Sequence, residues 1–494
     1  MGGGTPRLEQ LEHFDVNQIG LGCSGLMKPT AYDTAWLTRI PAEYDHSVPA
    51  FPEALAWLRQ NQHPDGSWGA EIEYVHDRVI STLVAILALA EWDRDERDER
   101  AIDRGLRYIW EKADRLEQEH ETIGFEVIAP TLLKKCQELE LTLPLAAFER
   151  YKKMRAEKMA KIPPDMLHSR NTSMTFSLEF MGDNLDTEKA GFLQESNGSV
   201  GVSPSATAYF LTKCTNNVAA RRYISDVVEA YEGKAPEVFP FDIFETAWSL
   251  WNLGLAGFSL QDPPLASYVA DLARLWEQSD GMGLGFSSAY SAPDADDTAM
   301  VCSVLRRAGY EPELRVFRRF ERYRHFGCYP WERNNDSSLS VNIHVLDALR
   351  GVDQDSITKI VNFLRLRTTS EGYWKDKWHI SPYYTTAHAV IALVGHDDEL
   401  ARGAVRWLLD TQGPDGCWGY YNRPTMEETA YCLQALSMYD RCVEPVDRST
   451  LARGRDGLLA CRSEMPALWI GKCLYTPIRV VESAIYSALV MTGS

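Results

Sequence analysis

Trp57-Leu58-Arg59-Gln60-Asn61-Gln62-His63-Pro64-Asp65-Gly66-Ser67-Trp68-Gly69 returns near the other end of the chain as Trp407-Leu408-Leu409-Asp410-Thr411-Gln412-Gly413-Pro414-Asp415-Gly416-Cys417-Trp418-Gly419. The Trp, the Gln and the Pro-Asp-Gly triplet keep the same offsets in both copies. A weaker copy runs from Phe363-Leu364 to Gly372-Tyr373-Trp374. The part up to Gln reads as the end of a helix. Pro-Asp-Gly is a turn in which glycine is free to take positive φ. The Trp beyond it packs back on the helix just left.

A second motif follows each turn, a Thr-Ala pair that opens an apolar helix. It recurs as Asp33-Thr34-Ala35-Trp36, Ala206-Thr207-Ala208-Tyr209, Glu245-Thr246-Ala247-Trp248, Asp297-Thr298-Ala299-Met300, Thr385-Thr386-Ala387-His388 and Glu428-Thr429-Ala430-Tyr431. An acidic or hydroxyl residue before Thr suits a helix N-terminus. The unit is therefore helix, turn, loop, helix, and strand signals are weak. Repeated helical hairpins stack into a solenoid or a closed ring of paired helices. In a closed ring the helix starts surround one mouth. Taken singly, most of these copies are also plain helix caps.

Bulk properties narrow the function. The 494 residues allow two or three domains, and 45% hydrophobic against 24% charged residues is a globular balance. A net charge of -19 excludes a nucleic-acid partner, whose phosphates demand Lys and Arg. The ten cysteines lack metal-ligand spacing, which argues against zinc and fits free thiols in a reducing compartment. Met1 to Gln10 has no apolar core of a signal peptide, and no run is long enough to span a membrane. A cytoplasmic protein with no stable membrane insertion is the expectation.

One Thr-Ala copy is chemically abnormal: Ser291-Ala292-Pro293-Asp294-Ala295-Asp296-Asp297-Thr298. Three carboxylates this close repel one another, so one should hold its proton at neutral pH. A neutral carboxylic acid beside a cavity is a general acid. An acidic cap and a divalent-metal site are the other readings of the same spacing.

Asp294-Ala295-Asp296-Asp297 resembles the DxDD motif of class II terpene cyclases, the family of squalene-hopene cyclase, copalyl diphosphate synthases and bacterial diterpene cyclases. Tyr32-Asp33-Thr34-Ala35-Trp36 is similar to the family's N-terminal segment, and the Gln-to-Trp repeats to its QW motifs. Ile123-Gly124-Phe125-Glu126-Val127, Ser203-Pro204-Ser205-Ala206-Thr207-Ala208, Trp378-His379-Ile380-Ser381-Pro382-Tyr383-Tyr384 and Leu474-Tyr475-Thr476-Pro477 also resemble family segments, in family order. The likeness runs from about residue 30 to about 485 and is closest to bacterial class II diterpene cyclases of the halimadienyl, kolavenyl or copalyl type.

The resemblance implies an all-α fold of two α,α-barrel domains, called β and γ, with the active site between them. Residues 1–40 and 261–494 would form β and 41–260 an inserted γ. Asp296 would be the proton donor, Asp294 and Asp297 would tune it, and Asn342 would hydrogen-bond it. Lys158 and Lys161 would bind a diphosphate. Glu117 and Glu119, in an acidic stretch, would hold Mg²⁺, which needs only one or two carboxylates beside phosphate oxygens. Tyr290, Tyr383 and Tyr384 adjoin the helix starts and would line the substrate, since aromatic faces stabilise cations.

The implied reaction is cyclisation of geranylgeranyl diphosphate with the diphosphate kept. A farnesyl diphosphate cyclase with a drimenyl-type product is the alternative within the family. A prenyl-binding or protein-interaction α,α-barrel is the alternative outside enzymes. Asp397-Asp398-Glu399 lacks the later Asp of an ionising metal motif, so a separate class I synthase or a phosphatase would consume the product. Where plant ent-copalyl enzymes carry a terminating His and Asn, this chain has Phe176 and, nearby, Glu237. Phe cannot accept a proton, so a rearranged bicyclic product is expected; a normal or different copalyl isomer stays open, with the base elsewhere.

Overall fold

The structure, a computed structural model, describes residues 21, 24–92, 94–332, 337–461 and 465–493. The expected start of the first domain, before Leu21, lies outside the described residues. The helices are α1 Ala31–Thr38, α2 Pro52–Gln60, α3 Val75–Ala90, α4 Glu96–Lys112, α5 Phe125–Glu138, α6 Glu149–Met159, α7 Pro204–Lys213, α8 Val218–Ala230 and α9 Asp242–Leu255. They continue as α10 Leu265–Gln278, α11 Ala295–Arg307, α12 Leu339–Ala348, α13 Gln354–Arg367, α14 Pro382–Leu393, α15 Asp398–Asp410, α16 Met426–Cys442, α17 Arg448–Ala460 and α18 Ile478–Gly493.

The repeats build as their chemistry demands. Trp68, Trp374 and Trp418 each donate the indole N–H to a carbonyl ten residues back, on Leu58, Leu364 and Leu408, at 2.9, 2.9 and 2.8 Å. Gln62 donates to Gly66 O in its own turn and to Ala101 O on α4, both at 2.8 Å. Gln412 does the same to Gly416 O and Thr450 O, both at 3.0 Å. The Gln thus ties each turn to the next outer helix. Gly66 has φ +94°, and a Cβ there would lie 2.6 Å from Arg104 O, so glycine is required on both counts. The Thr hydroxyls of the Thr-Ala pairs take the backbone N–H of the residue ending each turn: Thr298 from Leu284 at 3.0 Å, Thr386 from Trp374 and Thr429 from Trp418 at 3.1 Å. Gln194 with Gly198 and Thr207 is a further copy, with Val200 where the others have Trp.

The inner helices close two rings. In the first, α1, α3, α5, a 3₁₀ segment Ser173–Met181 and α7 pack in sequence, and α7 closes on α1. In the second, α9, α11, α12, α14, α16 and α18 follow one another, and α18 closes on α9. The remaining helices flank the rings. Each ring has its own apolar core. These are two α,α-barrels.

The domain limits differ from the expectation. Helix α1 belongs to the first ring, where Trp36 meets Tyr209 of α7 edge-on at 6.0 Å. Helix α9 belongs to the second ring, where Trp251 stacks on His388 of α14 at 4.8 Å. The chain crosses between rings near residue 29, since Lys28 N–H bonds Thr476 O (3.1 Å) and Thr30 N–H bonds Ala235 O (2.9 Å). It crosses back near Phe241, whose N–H bonds Ser24 O at 2.8 Å.

A short hairpin, β1 Trp469–Ile470 and β2 Leu474–Tyr475, carries the second ring into the first. At its tip Lys472 is wholly buried. Its ammonium reaches Ser203 Oγ (2.7 Å), Phe176 O (2.8 Å), Glu179 Oε1 (3.0 Å) and Ser205. Glu237 takes the Lys472 N–H at 2.6 Å and the Cys473 thiol at 2.9 Å. Asp33, Glu237 and Cys473 converge closely enough to hold a metal ion. The Lys472 ammonium beside them and the hydrogen bonds already filling Glu237 make this an ionic clamp between the rings instead.

Candidate active site

Asp294 caps α11 and accepts the Asp297 N–H at 2.9 Å. Asp294 and Asp297 are both buried. Burial pushes the Asp294 carboxyl up to about 7. Burial and then the charge of Asp294 push Asp297 well above the usual carboxylate range. The pair holds a proton at neutral pH and stays inside the protein.

Asp296 lies between them in sequence but about 100° round the helix from Asp297. Its side chain keeps 16% of its surface open, the most of the three. Its Oδ1 is 2.6 Å from Nδ1 of His344, and His344 Nε2 is 2.9 Å from Nδ1 of His388. His388 Nε2 is buried without a hydrogen-bond partner among the described residues. The network assigns the tautomers: His388 Nδ1–H donates to His344, and His344 Nδ1–H donates to Asp296. Run the other way, His388 would bury an N–H with no acceptor, the costlier omission. Burial, then the neighbouring His344, keeps His388 well below the usual imidazole range and so neutral. Oδ1 of Asp296 is then the acceptor of the His344 N–H, and Oδ2 is left outside that bond.

Asn342 makes no hydrogen bond to Asp296. Its amide oxygen takes the Phe326 N–H at 2.8 Å, and its nitrogen donates to Phe326 O (2.9 Å) and Ser338 O (2.7 Å). It staples the loop before α12. His344, two residues on and about 200° round the helix, takes the position expected of it.

Aromatic rings surround this site. Trp248 meets His344 edge-on at 5.5 Å and donates its indole N–H to the Tyr384 hydroxyl at 3.2 Å. Phe244 stacks on Trp248 at 3.8 Å, and Trp469 meets Phe244 at 5.4 Å and Tyr384 at 4.7 Å. Tyr290 stacks on Phe286 at 4.4 Å, and Phe286 meets Phe176 at 5.8 Å. Tyr383, expected beside Tyr384, instead stacks on Trp407 of α15 at 4.8 Å. Adjacent helical residues point about 100° apart, which turns Tyr383 toward the outer layer.

Phe176 and Glu237 do meet at one place, both against Lys472, whose ammonium sits 4.6 Å over the Phe176 ring. Glu237 is buried and anchors the hairpin tip.

A cavity of about 420 Å³ opens between the rings. Glu117, Glu119, His120 and Tyr74 line it from the first ring, and Lys375, Asp376, His379 and Tyr420 from the second. Glu119 Oε2 accepts the Val75 N–H at 2.6 Å, and Glu117 lies 3.6 Å from Arg150. Two carboxylates on one wall fit a Mg²⁺ ion that draws its other ligands from phosphate and water. Lys158 is half exposed and paired with Glu126, and Lys161 is exposed; neither lines this cavity. Lys375 does.

Residues 335–454 match the squalene-hopene cyclase C-terminal domain family. A Type B diterpene cyclase of Mycobacterium tuberculosis is 35% identical over 93% of this chain and 95% of its own. A chloroplastic (-)-kolavenyl diphosphate synthase of Tripterygium wilfordii is 33% identical over 84% of this chain and 51% of its own. The structure of an ent-copalyl diphosphate synthase from Streptomyces platensis superposes with a TM-score of 0.78 at 27% identity, covering 99% of this chain and 100% of that one. A two-barrel chain with such relatives is a terpene cyclase, an enzyme of the isomerase kind. More narrowly, it belongs to the class II diterpene cyclases. Among the described residues, no helix is long and apolar enough to cross a membrane.

Proposed function

We propose that the enzyme protonates the terminal alkene of geranylgeranyl diphosphate and closes two rings, releasing a bicyclic diterpenyl diphosphate. One observation carries this reading: the partly open Asp296 carboxyl, with Oδ1 engaged by His344 and an aromatic wall around it. The proton leaves Oδ2 for the less substituted carbon of the terminal alkene. The resulting tertiary cation draws in the next alkene, and electron pairs move along the chain until a C–H bond breaks, its electrons forming the last alkene and its proton passing to water. His344 keeps its N–H on the new carboxylate throughout. The aromatic faces of Trp248, Phe244, Trp469 and Tyr384 shelter the cation without capturing it.

The diphosphate belongs at the inter-ring cavity, with Lys375 as its nearest cation and Lys158 and Lys161 further along the first ring's face. Glu117 and Glu119 would hold Mg²⁺ there, and the ion would neutralise diphosphate charge. Phe176, where a basic residue would end the reaction early, supports a product formed after hydride or methyl shifts, of halimadienyl or kolavenyl type. Incubation with geranylgeranyl and farnesyl diphosphate, dephosphorylation, and NMR of the alcohols tests substrate and skeleton together. A drimenyl-type alcohol from farnesyl diphosphate alone would overturn the C20 assignment.

A further inference from the structure

Asp296 and Glu427 hold the same place in two copies of one repeat. Each stands three residues before the alanine of a Thr-Ala pair, Ala299 and Ala430. Asp294 caps α11 and Thr425 caps α16, each taking an N–H from the residue after the carboxylate in question. In the closed second ring α11 is second and α16 is fifth of six, so the two carboxylates stand at the starts of opposite helices. Phe244 and Tyr384 hold the equivalent place on α9 and α14.

Glu427 differs from an ordinary helix cap. Its neighbour Glu428 supports the Thr425 cap, taking the Thr425 hydroxyl at 2.7 Å and the Tyr420 N–H at 3.0 Å. Glu427 is wholly buried. Three donors converge on its Oε1: Trp469 Nε1 at 2.7 Å, His379 Nε2 at 3.2 Å and the Tyr431 hydroxyl at 3.3 Å. His379 Nδ1 lies 3.1 Å from Ser381 N and 3.2 Å from Ser381 O; with the shorter contact made by the Ser381 N–H, the imidazole proton sits on Nε2. Among the described residues Oε2 meets no donor, and no lysine or arginine pairs with the group. An acceptor surrounded only by donors is the pattern a carboxylate presents.

The structure assigns Glu427 a positioning role in cyclisation: we propose that it is a buried anion that holds and polarises Trp469 as the cation-stabilising wall opposite the acid. The inference rests on the reading of Asp296 as proton donor. An N–H bonded to a carboxylate is a charge-assisted, short hydrogen bond, and it pushes electron density into the indole ring. The richer ring face attracts a nearby cation more strongly. Because the anion is in place beforehand, nothing reorganises when the cation forms. Glu427 touches the reacting carbons through no atom of its own, only through Trp469.

The test uses the full chain with geranylgeranyl diphosphate. Glu427→Gln keeps volume and an acceptor oxygen but removes the charge. It is expected to lower kcat about tenfold with KM within about twofold, and to raise the share of monocyclic or water-quenched alcohols. Trp469→Phe removes the N–H and should shift products the same way. The double variant should be no worse than the poorer single one, as for residues acting as a unit. A Glu427→Gln enzyme with wild-type kcat and products, or additive losses in the double variant, overturns the proposal. If Glu427→Gln does not fold, Trp469→Phe with a wild-type product spectrum overturns it alone. Wild-type enzyme that cyclises no prenyl diphosphate would count against the acid assignment, a result distinct from either.

Discussion

Asp296 and His344 share a hydrogen bond of 2.6 Å, and His388 lies 2.9 Å behind His344 on the same line. The line is directional, so it leaves one carboxyl oxygen for chemistry and occupies the other. The expected consequence is that Asp296→Asn folds, binds substrate and gives no cyclic product. Asp294→Asn should retain part of the activity, since Asp294 caps α11 and only shapes the acid's surroundings. Product analysis by mass spectrometry decides it; cyclic product from Asp296→Asn would remove Asp296 as donor.

His344 and Asn342 should separate cleanly. His344→Phe keeps a buried ring but removes the donor, and is expected to cut kcat by about 100-fold or more, in the range found when one oriented donor is lost. Asn342→Ala leaves the Phe326 N–H without its partner and should cost about 1–3 kcal/mol of stability. Its turnover per folded molecule should stay close to wild type. Equal kcat losses in the two variants, with equal melting temperatures, would mean that Asn342 does serve the acid.

Stability should fall as pH rises through neutrality. Burial pushes Asp77, Asp294 and Glu237 up to about 6, 7 and 8. Unfolded carboxyls titrate near about 4. Between these limits these three carboxyls bind more protons folded than unfolded. They outnumber the buried His76 and His388, which are held low and pull the other way below about pH 6.5. Unfolding free energy therefore decreases with pH. On the acid side, Asp347 is held at about 2, where Arg307 and Arg350 outweigh its burial, and stability is lost below about pH 4 as it protonates. The highest melting temperature is therefore expected near about pH 5, with a decline toward pH 8. Glu237→Gln should flatten the upper part of that decline. A melting temperature that stays level or rises from pH 5 to 8 would show that these groups do not carry the protons assigned to them.

Diphosphate binding should depend on Lys375 more than on Lys158. Lys375 lines the inter-ring cavity, whereas Lys158 spends its charge on Glu126 at the surface. Lys375→Ala is expected to raise KM for the prenyl diphosphate about tenfold, the ring pattern unchanged. Lys158→Ala should raise it no more than about twofold, as for an exposed pair. The reverse order in steady-state kinetics would move the diphosphate onto the α5–α6 face.

The repeats and the acid motif were readable because each is local. A turn glycine, a Gln and a Trp at constant offsets can be seen without knowing what they touch. Ring membership is not local. Asp33-Thr34-Ala35-Trp36 and Glu245-Thr246-Ala247-Trp248 carry the same signature, and only packing puts α1 in one ring and α9 in the other. Helical phase accounts for two more differences, His344 in place of Asn342 and Tyr384 without Tyr383. Lys472 left one clue, a single charge inside Leu468-Trp469-Ile470-Gly471-Lys472-Cys473-Leu474-Tyr475, an otherwise apolar run. Its acidic partners lie some hundreds of residues away, so no spacing announces them.

Phe176 offers the sharpest test of how the reaction ends. Its ring lies under the buried Lys472 ammonium at 4.6 Å and against Phe286 at 5.8 Å. A histidine in that place would be desolvated and beside a fixed positive charge. Both effects favour neutral imidazole, which is the form that accepts a proton. Phe176→His is therefore expected to intercept the cation early and divert flux to an unrearranged copalyl product. Adding Glu237→Asn should not help, because Glu237 holds the Lys472–Cys473 tip and its loss loosens the clamp between the rings. NMR of the dephosphorylated alcohols from wild type and Phe176→His settles both points. Unrearranged copalol from the wild-type enzyme would show that a base other than residue 176 ends the reaction before any shift.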